Sequence, residues 1–168
     1  DYSDERAMLI KCTMEIFPFK FSFDGNEAHI VNAAQMTQRY DWNLRPYSEC
    51  WPVITTNEFS NSNSNTFDVY MTCEKKVISG QTVTYETVKT GHVYVPPERL
   101  SAFRTTIAGK KLVVDSNKLQ AYAANNLPMN KYLEGDYETF RIPGGCYVTL
   151  HNLSTVTLYV YTRRGISV

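Results

Sequence analysis

The sequence predicts an α+β fold: antiparallel β-sheets packed against one main helix in the N-terminal half, with short helices elsewhere. Three observations predict it. First, residues Ile10 to Phe23 alternate apolar and polar side chains, but the alternation changes phase halfway. Ile10, Cys12, Met14 and Ile16 share one face, and Phe17, Phe19, Phe21 and Phe23 then form the buried set. A one-residue slip swaps the faces of a strand, so a bulge or bend is expected at Phe17-Pro18, where proline has no N–H to give a ladder. Second, a helical pattern follows directly after Asp24-Gly25-Asn26. Third, the chain closes on two alternating apolar runs, Cys146-Val148-Leu150 and Val156-Leu158-Val160.

Taken in order, Asn26 to Tyr40 reads as the main helix. Asn26 suits the cap, Glu27 the positive end of the dipole, and Ile30, Ala33 and Ala34 form one stripe. Pro46 ends regular helix. Cys50-Trp51-Pro52-Val53-Ile54 reads as a short extended segment packed on that helix. Asn57 to Thr66, alternating Ser and Asn through its middle, is expected to bury nothing and to form a mobile loop. Phe67, Val69, Met71 and Cys73 then alternate as a strand, Ser79-Gly80-Gln81 turns, and Val83 to Val88 returns. His92 to Val95 is another short strand, stopped by Pro96-Pro97. Glu98 to Thr105 follows as a helical turn with Pro97 at its first position. Lys111 to Val114 reads as a strand and Asn117 to Ala124 as a helix. The closing runs read as a hairpin turning through His151 to Ser154, with Thr155, Thr157, Tyr159 and Tyr161 on its outer face.

At 168 residues the chain is expected to form a single globular domain, 1–168. Its 43% hydrophobic content excludes a disordered chain. Twelve tyrosines fit either a contact-making surface or the ordinary aromatic enrichment of β-rich domains. Formal charge is zero, which removes any global drive toward polyanions. The distribution is uneven: five Lys/Arg against nine Asp/Glu up to Ser60, and twelve against eight from Asn61. Cys12, Cys50, Cys73 and Cys146 lack Cys-x-x-Cys spacing, so no structural zinc site is expected, and a reducing compartment is preferred. No apolar stretch approaches the ~20 residues needed to span a bilayer. The chain begins with Asp1 rather than Met, which predicts that an N-terminal piece has been processed or trimmed away.

Catalytic groupings are missing from the sequence. His29, His92 and His151 lie on different elements without ligand spacing, and Cys50 beside Trp51 lacks a paired base. Glu134, Asp136 and Glu138 read as a solvated acidic loop rather than a cation site, and Gly144-Gly145 lacks the lysine of a phosphate loop. No enzyme, no cofactor and no metal site are expected, and no sequence-specific nucleic-acid reading.

Three stretches carry a resemblance. Met8 to Phe23 leads through a polar turn into Ile30-Val31-Asn32-Ala33-Ala34, with Trp42 after it. Arg45-Pro46-Tyr47 precedes an apolar segment that runs into the Ser/Asn loop. Thr72-Cys73-Glu74 and Gly91-His92-Val93-Tyr94-Val95-Pro96 form aromatic strands ending at proline, before the closing Thr/aliphatic run. As a pattern over most of the chain, this order resembles the globular core of rhabdovirus matrix proteins, including a plant-infecting branch. The resemblance implies a non-enzymatic structural protein of the virion, host cytoplasm and inner face of host membranes. Such a protein self-associates, bridges a peripheral anionic membrane to the viral nucleocapsid (the ribonucleoprotein), and drives condensation and budding. The pattern departs from the family at Pro96-Pro97, where Glu98-Arg99 stands in place of a budding motif ending in tyrosine.

The rival expectation is a jelly-roll coat protein of a small icosahedral or satellite virus, for which many short strands, abundant Thr and Tyr and this length suit eight strands in two sheets. The helix over Asn26 to Tyr40 stands against it. A third reading, a secreted β-sandwich module, needs paired cysteines and a glycan on Asn152 in Asn152-Leu153-Ser154. Candidate contact residues are the basic pairs Lys75-Lys76 and Lys110-Lys111, with Tyr159 and Tyr161. The self-association candidates are Asn57, Phe59, Asn61, Asn63 and Asn65 of the loop.

Overall fold

The computed structural model describes residues 19–23, 29–32, 38–41, 50–136 and 141–167. Their strands are β1 (Phe19–Phe23), β2 (His29–Val31), β3 (Gln38–Asp41), β4 (Cys50–Thr56), β5 (Asp68–Ser79) and β6 (Thr82–Tyr94). After helix α1 (Leu100–Ile107) come β7 (Leu112–Asp115), β8 (Gln120–Ala123), β9 (Leu127–Pro128), β10 (Glu134–Gly135), β11 (Tyr147–Asn152) and β12 (Leu158–Ser167). All pairings are antiparallel. The class is α+β, with two antiparallel sheets and one main helix.

The order of pairing is nested. β1 pairs with β12, β3 with β11, β4 with β7, and β5 with β6. First meets last and the middle two form a hairpin, so the chain is one long antiparallel ribbon folded on itself. Rolling that ribbon brings β12 beside β4 and β11 beside β5. One sheet then reads β1-β12-β4-β7-β8-β9, with β2 also on β12, and the other β10-β6-β5-β11-β3. This is the jelly roll, two sheets built from interleaved Greek keys.

Alternation explains the core between them. In β5, Val69, Met71 and Cys73 are buried; in β11, Val148 and Leu150; in β12, Leu158 and Val160. They join Ile54 of β4 and Leu112 and Val114 of β7 in one apolar cluster. The helix closes one end of it with Phe103 and Ile107, neither of them exposed. At roughly 1.5–3 kcal/mol per buried aliphatic or aromatic side chain, this shared interior is the main stabilising term.

Several expectations are corrected. The main helix among the described residues is Leu100–Ile107, preceded by a 3-10 turn at Pro97–Arg99, while the described parts of Asn26 to Tyr40 carry strands. His29–Val31 and Gln38–Asp41 are extended and pair with β12 and β11. Ile30 and Val31 are β-branched neighbours that point to opposite sides, Ile30 at 53% exposure and Val31 at 2%. Period two and sheet pairing override the 3.6-residue stripe there. Residues 24–28 and 33–37 lie outside the described residues, as does the expected bend at Phe17-Pro18. Asn117 to Ala124 is not helical either, since β8 occupies Gln120–Ala123.

The closing runs bury the expected residues but do not form a hairpin, because β11 and β12 belong to different sheets. Asn152 makes that crossing. Its Nδ2 donates to the carbonyls of Val31, Asn32 and Val156 at 3.1, 3.1 and 2.8 Å, and its Oδ1 accepts from Ser154 N at 2.9 Å. The amide is fully buried, so this triplet offers no acceptor for a glycan. Cys73 and Cys146 are buried free thiols. Both findings count against the secreted-module reading.

The loop from Asn57 to Thr66 is likewise corrected. Phe59 is buried and meets Phe103 edge to face at 5.5 Å. Its backbone exchanges hydrogen bonds with Lys110 and Gly109. Asn65 is buried too. Its Nδ2 donates to Ser60 O at 2.7 Å, while its own carbonyl accepts from Arg104 Nε at 2.9 Å. A polar composition concealed two anchors.

Candidate interaction surface

The β5–β6 hairpin is longer than its neighbours. β11 follows β5 only as far as Glu74, and β10 meets β6 only at Val93 and Tyr94. Beyond Glu74 the hairpin is a two-stranded ribbon with no third strand among the described residues, closed by Gly80 at φ +61. Its departure point is marked: Cys73 pairs with Lys89 but Glu74 with Thr87, so Val88 is an extra residue in β6. A bulge of this kind bends the strand and increases its twist.

The ribbon's sequence keeps it extended and leaves it exposed. Thr82 to Val88 is almost entirely β-branched or aromatic, with Glu86 its single charge. Cross-strand partners share a face, so Lys76, Ile78, Val83 and Tyr85 stand together, Ile78 opposite Val83 and Lys76 opposite Tyr85. Ile78 is 64% exposed and Val83 47%. Tyr85 anchors the base of this face, edge-on to Tyr147 at 5.4 Å. A two-stranded ribbon alone is marginal in water, and natural edges of this composition are usually covered or blunted. The tip of the ribbon thus exposes a paired apolar patch, Ile78 and Val83, outside the core.

A second patch lies on the outer face of the same sheet. The His92 ring is stacked between Tyr70 at 3.7 Å and Tyr94 at 4.3 Å, and Tyr70 also meets His151 at 6.5 Å. Carboxylates surround it. Asp68 Oδ1 is 2.8 Å from His92 Nε2, Asp136 Oδ2 accepts from His92 N at 3.1 Å, and Glu134 pairs with Arg99 at 2.8 Å. Glu134 also accepts from the Tyr94 hydroxyl; desolvation first, and the Glu134 charge after it, hold that phenol above its ordinary range. Aromatic faces ringed by acids repel a phosphate backbone, so this patch is unsuited to nucleic acid. The outward phase of Tyr70, His92 and His151 can be read from the sequence, but not the register that aligns them.

The structure separates the residues expected to act together. Lys75 and Lys76 are exposed on the ribbon, Lys75 opposite Glu86. Lys110 and Lys111 lie at the other end of the sandwich, beside the 57–66 loop, about 25 Å away along β5. Lys110 closes the end of α1, where its Nζ donates to Thr106 O at 2.7 Å and to Ala108 O at 3.4 Å, satisfying carbonyls left without helical partners. Lys111 is exposed. Tyr159 and Tyr161 are half-buried on β12, opposite Thr55 and Val53. In the loop, Asn57 is tied to Thr157 through both its N–H and its side chain, whereas Asn61 and Asn63 are exposed.

Among the described residues no three His, Cys, Asp or Glu side chains are grouped to hold a metal ion. No described helix is long and apolar enough to cross a membrane. Comparison with known proteins returned no matching family, no similar curated protein and no similar solved structure.

Proposed function

We propose that this chain is a coat-type subunit, a non-enzymatic jelly-roll protein that self-associates into a closed protein shell. The nested strand order carries the reading. Jelly rolls serve as capsid, lectin and cupin domains, and a fold alone does not choose among them. The choice rests on two features. The described apolar side chains of the two sheets pack into one buried cluster, and the molecule carries an apolar ribbon beyond that core. The matrix-type reading drew its support from a helix over Asn26 to Tyr40, and β2 and β3 occupy the described parts of that span.

Side-by-side packing of subunits through the 75–88 ribbon is tested by charging its tip. Ile78→Glu with Val83→Glu places like charges on one cross-strand pair and should loosen the tip by about 1 kcal/mol while leaving the core folded, since both side chains lie outside it. The same double variant should shift sedimentation from assemblies to monomer. Unchanged assembly would remove the ribbon from the interface.

A further inference from the structure

The hairpin from β7 to β8 turns through Ser116, Asn117, Lys118 and Leu119, and Leu119 takes φ +54. That left-handed position ordinarily falls to glycine or asparagine, because a Cβ crowds the backbone there. Leucine at such a site is expected to be rewarded by burial. Leu119 is instead 49% exposed. The other two left-handed residues that are not glycine, among the described residues, are Asn125 and Asn126, on the segment joining β8 to β9. Leu119 and Asn126 both line one half-open hollow, of about 490 Å³. Asparagine adopts that conformation readily, so Leu119 is the strained residue of the lining, and strain at a cavity is a pointer to function.

The hollow is built rather than incidental. Ala121 and Ala123 of β8 are buried, so Gln120 and Tyr122 project from the outer side of that strand into it. Asn130 fixes its floor, its Oδ1 accepting from Ala121 N at 2.9 Å and its Nδ2 donating to Leu119 O at 3.2 Å. The second bond pins the backbone of the strained residue. Pro128, paired with Tyr122, completes an apolar wall. Lys118 stands at the rim with its side chain 54% exposed, ion-paired at 3.9 Å with the buried carboxylate of Asp115, a separation longer than a hydrogen bond that lets its N–H donors turn to a ligand. Lys118 is the one charged side chain of the lining, and Asp115 lies behind it.

We propose that the hollow binds an acidic saccharide, a sugar bearing a carboxylate or a sulfate. A sugar ring has an apolar C–H face and a rim of hydroxyls that both donate and accept. Tyr122, Pro128 and Leu119 match the face; the amides of Gln120 and Asn126, each donor and acceptor, match the hydroxyls. Lys118 supplies the charge-assisted bond to the acid. The volume lies within the range of small-ligand sites. A bare phosphate would leave the ring and both amides unused. The assignment stands independently of the coat-type reading.

The test is ligand-observed NMR and titration calorimetry on the full chain with methyl glycosides of N-acetylneuraminic acid, glucuronic acid and 6-sulfo-N-acetylglucosamine, alongside neutral methyl galactoside and inorganic phosphate. At least one acidic glycoside should bind at least tenfold tighter than the neutral one, with the carboxylated and sulfated probes showing which acid fits. Lys118→Gln should abolish that preference. Leu119→Gly should weaken binding several-fold while raising the Tm, since it removes strain without emptying a core; a purely structural leucine would lower the Tm and leave binding alone. No saturation transfer to any glycoside at millimolar concentration, or equal binding of phosphate and sugar, would overturn the proposal.

Discussion

Replacing Asn152 by alanine should be among the most damaging single changes available outside the apolar core. Its side chain satisfies four backbone groups, of which Asn32 is exposed and can turn to water. Val31, Ser154 and Val156 are at most 4% exposed and cannot. Losing the hydrogen bonds to these three buried groups, at the lower part of the ~1–3 kcal/mol range each, comes to about 3–5 kcal/mol. Domains of this size lose about 2–4 °C of Tm per kcal/mol, so a drop of about 6–20 °C is expected. Urea titration of Asn152→Ala, read as a shift in midpoint at constant slope, measures it. Asn152→Asp sharpens the test through its pH dependence. A carboxylate facing three carbonyls has its folded pKa raised above the unfolded value of about 3.9. For an acid, that sign means the charge penalty is absent below the unfolded pKa and grows as pH rises through the folded one. Asn152→Asp should therefore recover part of its lost stability on acidification relative to the parent. A cost under 1 kcal/mol for the alanine variant, or a pH-independent cost for the aspartate variant, would refute the claim that this amide locks the sheet-to-sheet crossing.

Three further outcomes follow from the packing. Phe59→Ala should cost about 3–5 kcal/mol by denaturation, the value for emptying a buried aromatic site; a cost near zero would restore the free-loop view of 57–66. Gly135→Ala should fail to fold or lose several kcal/mol, because a Cβ there would sit 1.9 Å from the His92 carbonyl oxygen at a φ of +105. Burial pushes the Cys73 thiol up to about 12, so thiol reagents at pH 8 should modify it only as fast as the protein unfolds, and rapid labelling of the native protein would contradict its placement.

Much of the fold was legible in the residues, and the misses share a cause. Alternation at Phe67 to Cys73, Cys146 to Leu150 and Val156 to Val160 named the buried side chains correctly, because burial on one face is a local, period-two property. The turn at Gly80 was legible for the same reason. Pairing is not local. Nothing in the two closing runs says that they join different sheets, and the nesting of β1 with β12 links residues such as Phe19 and Ser167 at opposite ends of the chain. The segment around Ile30 shows the competing signals: a 3.6-residue stripe of Ile30, Ala33 and Ala34 against a β-branched Ile-Val pair. Sheet pairing with Tyr159 and Leu158 decided between them. Of the candidate site, the exposed charges at Lys75 and Lys76 could be read from the chain. That the ribbon carrying them outruns its neighbours could not, since this depends on where β11 ends. Lys110 looked equivalent to Lys111 until the carbonyls of α1 took its ammonium group.

Electron microscopy of the purified chain at micromolar to millimolar concentration, without lipid and then with anionic vesicles, tests the central reading most directly. Closed shells of uniform diameter in the lipid-free sample are the predicted result, lost in the Ile78→Glu, Val83→Glu variant. Ordered arrays formed only on vesicle surfaces, or a monomer at every concentration and salt, would contradict the assignment as a shell-forming subunit.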